Sequence, residues 1–146
     1  MSDSVLTIGE DAFKGCKKLK SLHFSLNLES INVGAFDGCK SLREIVLPKK
    51  LTTIDDYAFR ECSSLTSVEF PLSFMNTKIG FNAFAECKKL QKIVIKKTSP
   101  DKFDISTCAF TERIYNTCTL VVPIAAVKAY KNHEVFGKFK NITTPQ

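Results

Sequence analysis

One string of residues recurs along this chain and limits what it can fold into. The string is Ile-x-x-x-Ala-Phe-x-x-Cys-x-x-Leu-x-x-φ-x-φ, where φ is apolar, and it starts at Ile8, Ile31, Ile54 and Ile79. A degenerate fifth copy starts at Ile105 and drifts by one residue before its strand. A unit this short cannot bury its own apolar side, so the copies must stack and share one core.

The two halves of the string predict two kinds of local structure. Each Leu-x-x-φ-x-φ segment predicts a short strand whose φ residues point inward, and Pro48, Pro71 and Pro123 end three of these strands. The Ile-x-x-x-Ala-Phe segment predicts a return path, where the small Ala lets backbones approach and the Phe fills space between layers. The predicted aromatic column contains Phe13, Phe36, Phe59, Phe84 and Phe110.

The string resembles the BspA-type leucine-rich repeats. Ile8-Gly9 and Ile79-Gly80 keep the Ile-Gly start of that family's unit, and Val122-Pro123 opens a tail similar to its closing segment, so the resemblance covers about residues 5–142. It implies an α/β-type repeat solenoid of the leucine-rich-repeat kind, a right-handed superhelix. The implied solenoid has a short-stranded parallel sheet on its concave face and a C-terminal capping helix.

We expect a single domain over residues 1–146, with repeats at about 5–27, 28–50, 51–75, 76–101 and 102–123 and a cap at 124–146. A helix is predicted from Ile124 to about Lys131 because Pro123 suits a helix start. The apolar residues expected to cover the last repeat are Ile124, Val127, Tyr130, Val135, Phe136 and Phe139. The first unit starts halfway through a repeat, which indicates either a cut array or an edge that pairs with another molecule. We therefore expect a monomer or a weak dimer through that uncapped edge.

The six cysteines raise the question of a disulfide or metal framework. Cys16, Cys39, Cys62 and Cys87 occupy one repeat position, and the chain has no C-x-x-C pair. They are expected to line up in the core as free thiols, so no metal or cofactor site is predicted. Cys108 and Cys118 lie off this column and are the one candidate disulfide.

No residue pattern predicts catalysis, and we expect the chain not to be an enzyme. His23 and His133 are the only histidines, and His23 is expected to face solvent. The carboxylates near the Ala-Phe turns are expected to satisfy backbone donors there: Asp11, Asp37, Asp55 and Asp56. No glycine-rich phosphate loop is present.

Two surfaces remain as candidates for binding. The first is the outward face of the strands, with one column of Ser21, Glu44, Ser67, Lys92 and Thr119 and a second of His23, Val46, Glu69, Val94 and Val121. The second is a basic edge that the Ser63-Ser64 pair interrupts: Lys17, Lys18, Lys40, Lys88 and Lys89. With a net charge of +6, this lysine edge could meet a polyanion.

The leading interpretation is a noncatalytic protein–protein interaction module. The family resemblance implies a microbial cell-surface or secreted protein that mediates adhesion to host or matrix proteins. Two alternatives stay open: an accessory or targeting array of a larger enzyme, and glycosaminoglycan binding through the lysine edge. Nucleic acid is not an expected partner, because the Phe residues are committed to the core and no row of exposed aromatics is left for base stacking. No membrane span is expected, because no apolar run approaches the required length.

Overall fold

The computed structural model describes residues 1–72, 77–101 and 103–146. The predicted repeat solenoid is confirmed: short parallel strands form two separate sheets, and each strand pairs with its equivalent in the next repeat. No helix of the described part has both the length and the apolar character that crossing a membrane requires.

The first sheet contains the predicted strands and is called the long-strand sheet. Its strands, in spatial order, are β3 (Glu44–Val46), β5 (Ser67–Phe70), β7 (Lys92–Ile95), β9 (Thr119–Val121) and β10 (Asn141–Thr143). The inward residues are in register, with Val68 opposite Ile93 and Ile93 opposite Leu120. This pairing confirms the one-residue drift of the fifth copy, because Leu120 takes its place in the sheet one residue late.

A second sheet forms where only a return path was predicted, and it is called the short-strand sheet. Its two-residue strands are β1 (Thr7–Ile8), β2 (Ser30–Ile31), β4 (Thr53–Ile54), β6 (Lys78–Ile79) and β8 (Asp104–Ile105). Each strand ends on the Ile that opens the string, and neighbouring strands pair in parallel. The stacking that aligns one sheet also brings these isoleucines side by side, so their backbones hydrogen-bond; the Asn32 amide, for example, donates to the Ile8 carbonyl at 3.0 Å.

The predicted aromatic column is confirmed. Successive rings of its five Phe residues are stacked, with centroids 5.2–5.5 Å apart and planes within 16° of parallel. The backbone beside the column is joined from repeat to repeat, since the amide of each of the first four Phe residues donates to the Ala carbonyl of the next repeat. The Phe36 amide, for instance, lies 2.8 Å from the Ala58 carbonyl.

Two turns in each regular repeat require left-handed backbone. One precedes the Ala of the string and the other precedes the Cys. The residues with φ between +53° and +73° are Asp11, Gly34, Tyr57 and Asn82 at the first position, and Gly15, Gly38, Glu61 and Glu86 at the second. Glycine adopts this conformation without steric cost, whereas Tyr57, Glu61 and Glu86 are held in it by the repeat.

The C-terminal end is more elaborate than the single predicted helix. Helix α1 (Glu112–Thr117), which was not predicted, interrupts the fifth copy. A 3-10 turn at Ile124–Ala126 leads into helix α2 (Val127–Asn132), a second 3-10 turn spans Phe136–Lys138, and β10 then adds a strand to the long-strand sheet.

The predicted covering role of this cap holds for most of its apolar residues. Tyr130, Val135, Phe136 and Phe139 are all buried. For Ile124 the prediction was wrong, because the 3-10 turn leaves this side chain 81% exposed.

The N-terminal repeat departs from the pattern. The sequence predicts a strand around Leu22 and Phe24, but the structure has no strand there, although both side chains pack against the core. This segment has a described neighbour on one side only, where the Arg43 amide donates to the Lys20 carbonyl at 3.3 Å. With so few cross-repeat hydrogen bonds, the segment stays extended without completing a ladder.

Candidate binding face

The outward side chains of the long-strand sheet form two continuous columns, which we call the strand face. The parallel register places Glu44, Ser67, Lys92 and Thr119 side by side, and it places Val46, Glu69, Val94 and Val121 side by side in the next column. Strand β10 extends the columns with Asn141 and Thr143, which sequence reasoning did not include. Side chains alternate across a strand, so the residues between these columns point to the core.

Exposure varies along the strand face. Val46 is 62% exposed, whereas Val121 is only 7% exposed. The predicted first members of the columns, Ser21 and His23, are exposed but lie outside any strand, so the face begins at Glu44. Ser21 and His23 lie outside a strand because their segment has a described neighbour on one side only and does not complete a hydrogen-bonded ladder.

A groove of about 1110 Å³ lies over the C-terminal part of the strand face. Lys92, Val94, Thr119 and Val121 contribute to its lining from the sheet, and residues 144–146 line it from the chain end. Arg113 of helix α1 also lines it and was missed by sequence reasoning. The extra residue in the fifth copy was the signal that could have revealed the inserted helix.

The charges around this C-terminal groove are unequal. Its lining includes three cationic side chains, Lys92, Lys96 and Arg113, and one carboxylate side chain, Glu69. Lys96 pairs with Glu69, with 2.5 Å between the Nζ and Oε1 atoms. Lys92 and Arg113 are both exposed, and neither forms an ion pair with a residue in the described part of the chain.

The lysine edge is exposed but partly neutralised. Lys40 lies 4.0 Å from Glu61, and Lys88 lies 3.6 Å from Glu86. Lys17, Lys18 and Lys89 are exposed on the same edge. The paired carboxylates and the interruption at Ser63-Ser64 reduce the positive field that a polyanion would meet.

The buried cysteines of the repeat link neighbouring repeats through their thiol groups. Buried Cys39, Cys62 and Cys87 each direct a thiol at the Phe carbonyl of the preceding repeat, at 3.1–3.3 Å. A thiol is small and apolar enough for the core and still supplies a weak donor to that carbonyl. Burial raises the pKa of Cys39 to about 11 and that of Cys87 to about 12.

The other three cysteines differ from this buried set, and for Cys16 the prediction of a core position was wrong. Cys16 holds the same repeat position but is exposed, because no described repeat precedes it. The structure has Cys108 and Cys118 as free thiols, one exposed and one buried, so it does not contain the candidate disulfide.

The carboxylates accept backbone amides, cationic side chains or both. Asp55 does both, because Lys78 also donates to its Oδ1 atom at 2.9 Å. Asp55 accepts the Asp56 amide at 3.0 Å and Asp56 accepts the Phe81 amide at 2.8 Å, which confirms their predicted turn role. For Asp37 the turn prediction was wrong, because both of its oxygens accept hydrogen bonds from the Arg60 guanidinium, at 2.7 and 3.0 Å. Asp11 likewise pairs with a cation, Lys14.

The ring of His133 accepts backbone amides, whereas the His23 side chain is exposed. The Nδ1 atom of His133 accepts the amides of Val135 and Phe136 at 3.2 and 3.4 Å, and burial lowers its pKa. His23 is exposed, and its carbonyl accepts a hydrogen bond from the Met1 amino group. Within residues 1–72, 77–101 and 103–146, no group of three His, Cys, Asp or Glu side chains is arranged to hold a metal ion.

A comparison with known protein families gives the same repeat pattern as the structure. The model of the BspA type leucine-rich repeat region matches residues 1–120, with six copies. The chain belongs to the BspA-type leucine-rich repeat family. Proteins of this family are generally noncatalytic, and leucine-rich repeat domains generally mediate protein interactions.

Three solved structures resemble this BspA-type domain. A leucine rich cell surface protein from Faecalibacterium prausnitzii is 35% identical, with a TM-score of 0.62 over 70% of this chain and 26% of its own. The pneumococcal vaccine antigen PcpA is 21% identical, with a TM-score of 0.65 over 100% of this chain and 41% of its own. A leucine-rich repeat protein from Bacteroides ovatus is 22% identical, with a TM-score of 0.59 over 99% of this chain and 42% of its own.

The BspA-type domain therefore spans less than half the length of each of these three proteins. The two likenesses below 25% identity concern the fold alone. No curated protein matches the chain.

Proposed function

We propose that this domain is a noncatalytic protein-binding module of a microbial cell-surface or secreted protein, and that it binds through the strand face. The observation that carries the proposal is the register of the long-strand sheet. It places polar and β-branched side chains from successive repeats side by side in two columns. An extended surface of this kind suits a protein partner better than a small molecule.

The location and the partner class draw on the family. The similar protein from Faecalibacterium prausnitzii is described as a cell surface protein, and we extend that location to this chain. For a surface protein with an exposed, mixed polar and apolar face, adhesion to host or matrix proteins is the role we propose.

The test is a binding screen of the purified chain against immobilised extracellular matrix proteins, with a matched pair of variants. Val46→Glu places a charge on the strand face, where the side chain is 62% exposed. Leu26→Glu makes a comparable change at a side chain that is 70% exposed and lies outside the face. Both positions are exposed, so both variants should fold as the wild type does, which circular dichroism will verify.

We expect a matrix partner to bind the wild type and Leu26→Glu equally well. It should bind Val46→Glu at least about fivefold more weakly, because the binding interface would remove water from the introduced carboxylate. Equal binding of both variants would contradict the strand face as the binding surface. Absence of any matrix partner at micromolar concentration would contradict the adhesion role.

A further inference from the structure

The strand face is not uniform, and its C-terminal groove has the chemistry of a specific site. Its floor carries Val94, Thr119 and Val121, so apolar and hydroxyl groups lie side by side. A smaller depression near the other end of the face is lined by Lys20, Ser21, Arg43, Glu44 and Thr66, and it contains no apolar side chain. Of these two depressions, the C-terminal groove alone combines an apolar floor with charged side chains around it.

Among the charged side chains that line it, cations outnumber carboxylates. Lys92 projects from β7 and Arg113 from α1, so the sheet and the inserted helix each supply one charge. Glu69 cannot neutralise both, because it already pairs with Lys96 at 2.5 Å. A guanidinium in particular binds carboxylates through two parallel hydrogen bonds.

We propose that the C-terminal groove binds an acidic, extended segment of a protein partner, in which carboxylates meet Lys92 and Arg113 and an apolar side chain on the same face of the segment meets Val94. This inference rests on the proposed function and names the partner segment for part of the same face. Charge complementarity selects the occupant, since the two cations without an ion pair would repel a basic segment. The groove volume of about 1110 Å³ lies at the top of the range for small-molecule sites and leaves room for several residues of extended chain.

The probe is a fluorescein-labelled Glu-Ser-Val-Ser-Glu peptide, whose Glu and Val side chains share one face when the chain is extended. It is compared with peptides in which Gln or Lys replaces every Glu. Binding to the whole chain is measured by fluorescence polarisation at low and at physiological salt. The test variant is Lys92→Gln with Arg113→Gln. Its matched control is Lys128→Gln with Lys131→Gln, which removes the same charge from exposed positions of α2 that do not line the groove.

We expect the Glu peptide to bind more tightly than the Gln peptide, the Lys peptide not to bind, and added salt to weaken the complex. The Lys92 and Arg113 double variant should bind the Glu peptide about fivefold more weakly or worse, while the control stays within about twofold of wild type. Equal weakening in both double variants would show attraction to net charge alone and overturn the proposal. So would equal binding of the Glu and Gln peptides.

Failure of this inference can be distinguished from failure of the proposed function. A matrix partner that loses affinity in Val46→Glu but binds the Lys92 and Arg113 double variant as well as wild type would leave the strand face intact as a binding surface. The same result would overturn the acidic segment as its ligand.

Discussion

The second and third repeats and the first repeat carry the same string but differ in burial. Cys39, Cys62, Phe36 and Phe59 are 0% exposed. In the first repeat Cys16 is exposed and Phe13 is half-buried. The string therefore specifies the path of one repeat, whereas the neighbouring repeat supplies the burial. In such a stacked array the stability of a position depends on its contacts on both sides.

At the C-terminal end, residues outside the repeat supply the burial instead. Its fifth copy matches the string least well, yet it is covered. The stacked column ends at Phe110, where Phe139 and Tyr115 approach edge-to-face at centroid distances of 5.5 and 6.0 Å. Rings that present their edges end the parallel stacking and cover the last layer.

The largest expected difference is in thiol reactivity, between cysteines that neighbouring segments cover and cysteines that they leave exposed. At pH 8 we expect an alkylating agent to modify Cys16 and Cys108 more than a thousandfold faster than Cys87 and Cys118. The buried thiols are shielded, and burial raises the pKa of both Cys87 and Cys118 to about 12, so almost none is thiolate at that pH.

The measurement is mass spectrometry of tryptic peptides after timed alkylation, with a urea-unfolded sample as the control in which all six cysteines react. Alkylation should accelerate as pH rises toward 12, because more thiolate forms. A peptide mass that shows Cys108 bonded to Cys118, or a Cys87 as reactive as Cys16, would contradict the structure.

The next difference concerns the aromatic column. Phe59→Ala should lower the free energy of unfolding by about 3–5 kcal/mol, because the ring is fully buried between two others. Phe13→Ala should cost about 1–2 kcal/mol, because Phe13 stacks on Phe36 alone and is half-buried. Urea unfolding followed by circular dichroism measures both values. Equal losses would mean that neighbours do not set the contribution of a position.

The sequence predicts most of the repeat scaffold because the string recurs with constant offsets. The stacked Phe column, the strand register and the buried Cys positions all follow from stacking identical units. The short-strand sheet was missed because its strands are two residues long and show no alternation of their own. They exist only because neighbouring repeats place Ile8 beside Ile31 and Ile54 beside Ile79.

The candidate site was less predictable. Alternation along each strand identified the outward columns, but the exposure of a member depends on what covers it. Val121 is shielded at the C-terminal end and Val46 is not. Arg113 could not be placed from its sequence position, since the repeat string breaks down where α1 begins. That insertion changes the shape and charge of the C-terminal groove.

A smaller effect separates two ion pairs. Asp37→Asn should cost about 1–2 kcal/mol, because Asp37 is 7% exposed and receives two hydrogen bonds from Arg60, whose own 39% exposure weakens the pair through solvent screening. Asp11→Asn should change stability by less than about 0.5 kcal/mol, because the Asp11–Lys14 pair is exposed on both sides. Thermal unfolding of both variants is the measurement, and a larger loss for Asp11→Asn would reverse the comparison.

The smallest expected effects lie at the left-handed position before the cysteine, where equivalent repeats carry different residues. Gly38 and Glu61 have φ of +73° and +56°, and the amide of each donates to the next repeat, at 2.8 and 2.9 Å. Gly38→Ala should lower stability by about 1 kcal/mol. A Cβ there would meet Gly15 only at 3.7 Å, so the loss would report the backbone conformation rather than a clash.

Glu61→Gly should raise stability by roughly 0.5 kcal/mol, since relief of the left-handed cost exceeds the extra freedom of the unfolded chain. Chemical denaturation of both variants decides the matter, and a loss of stability in Glu61→Gly would show that the glutamate side chain contributes more than its backbone conformation costs.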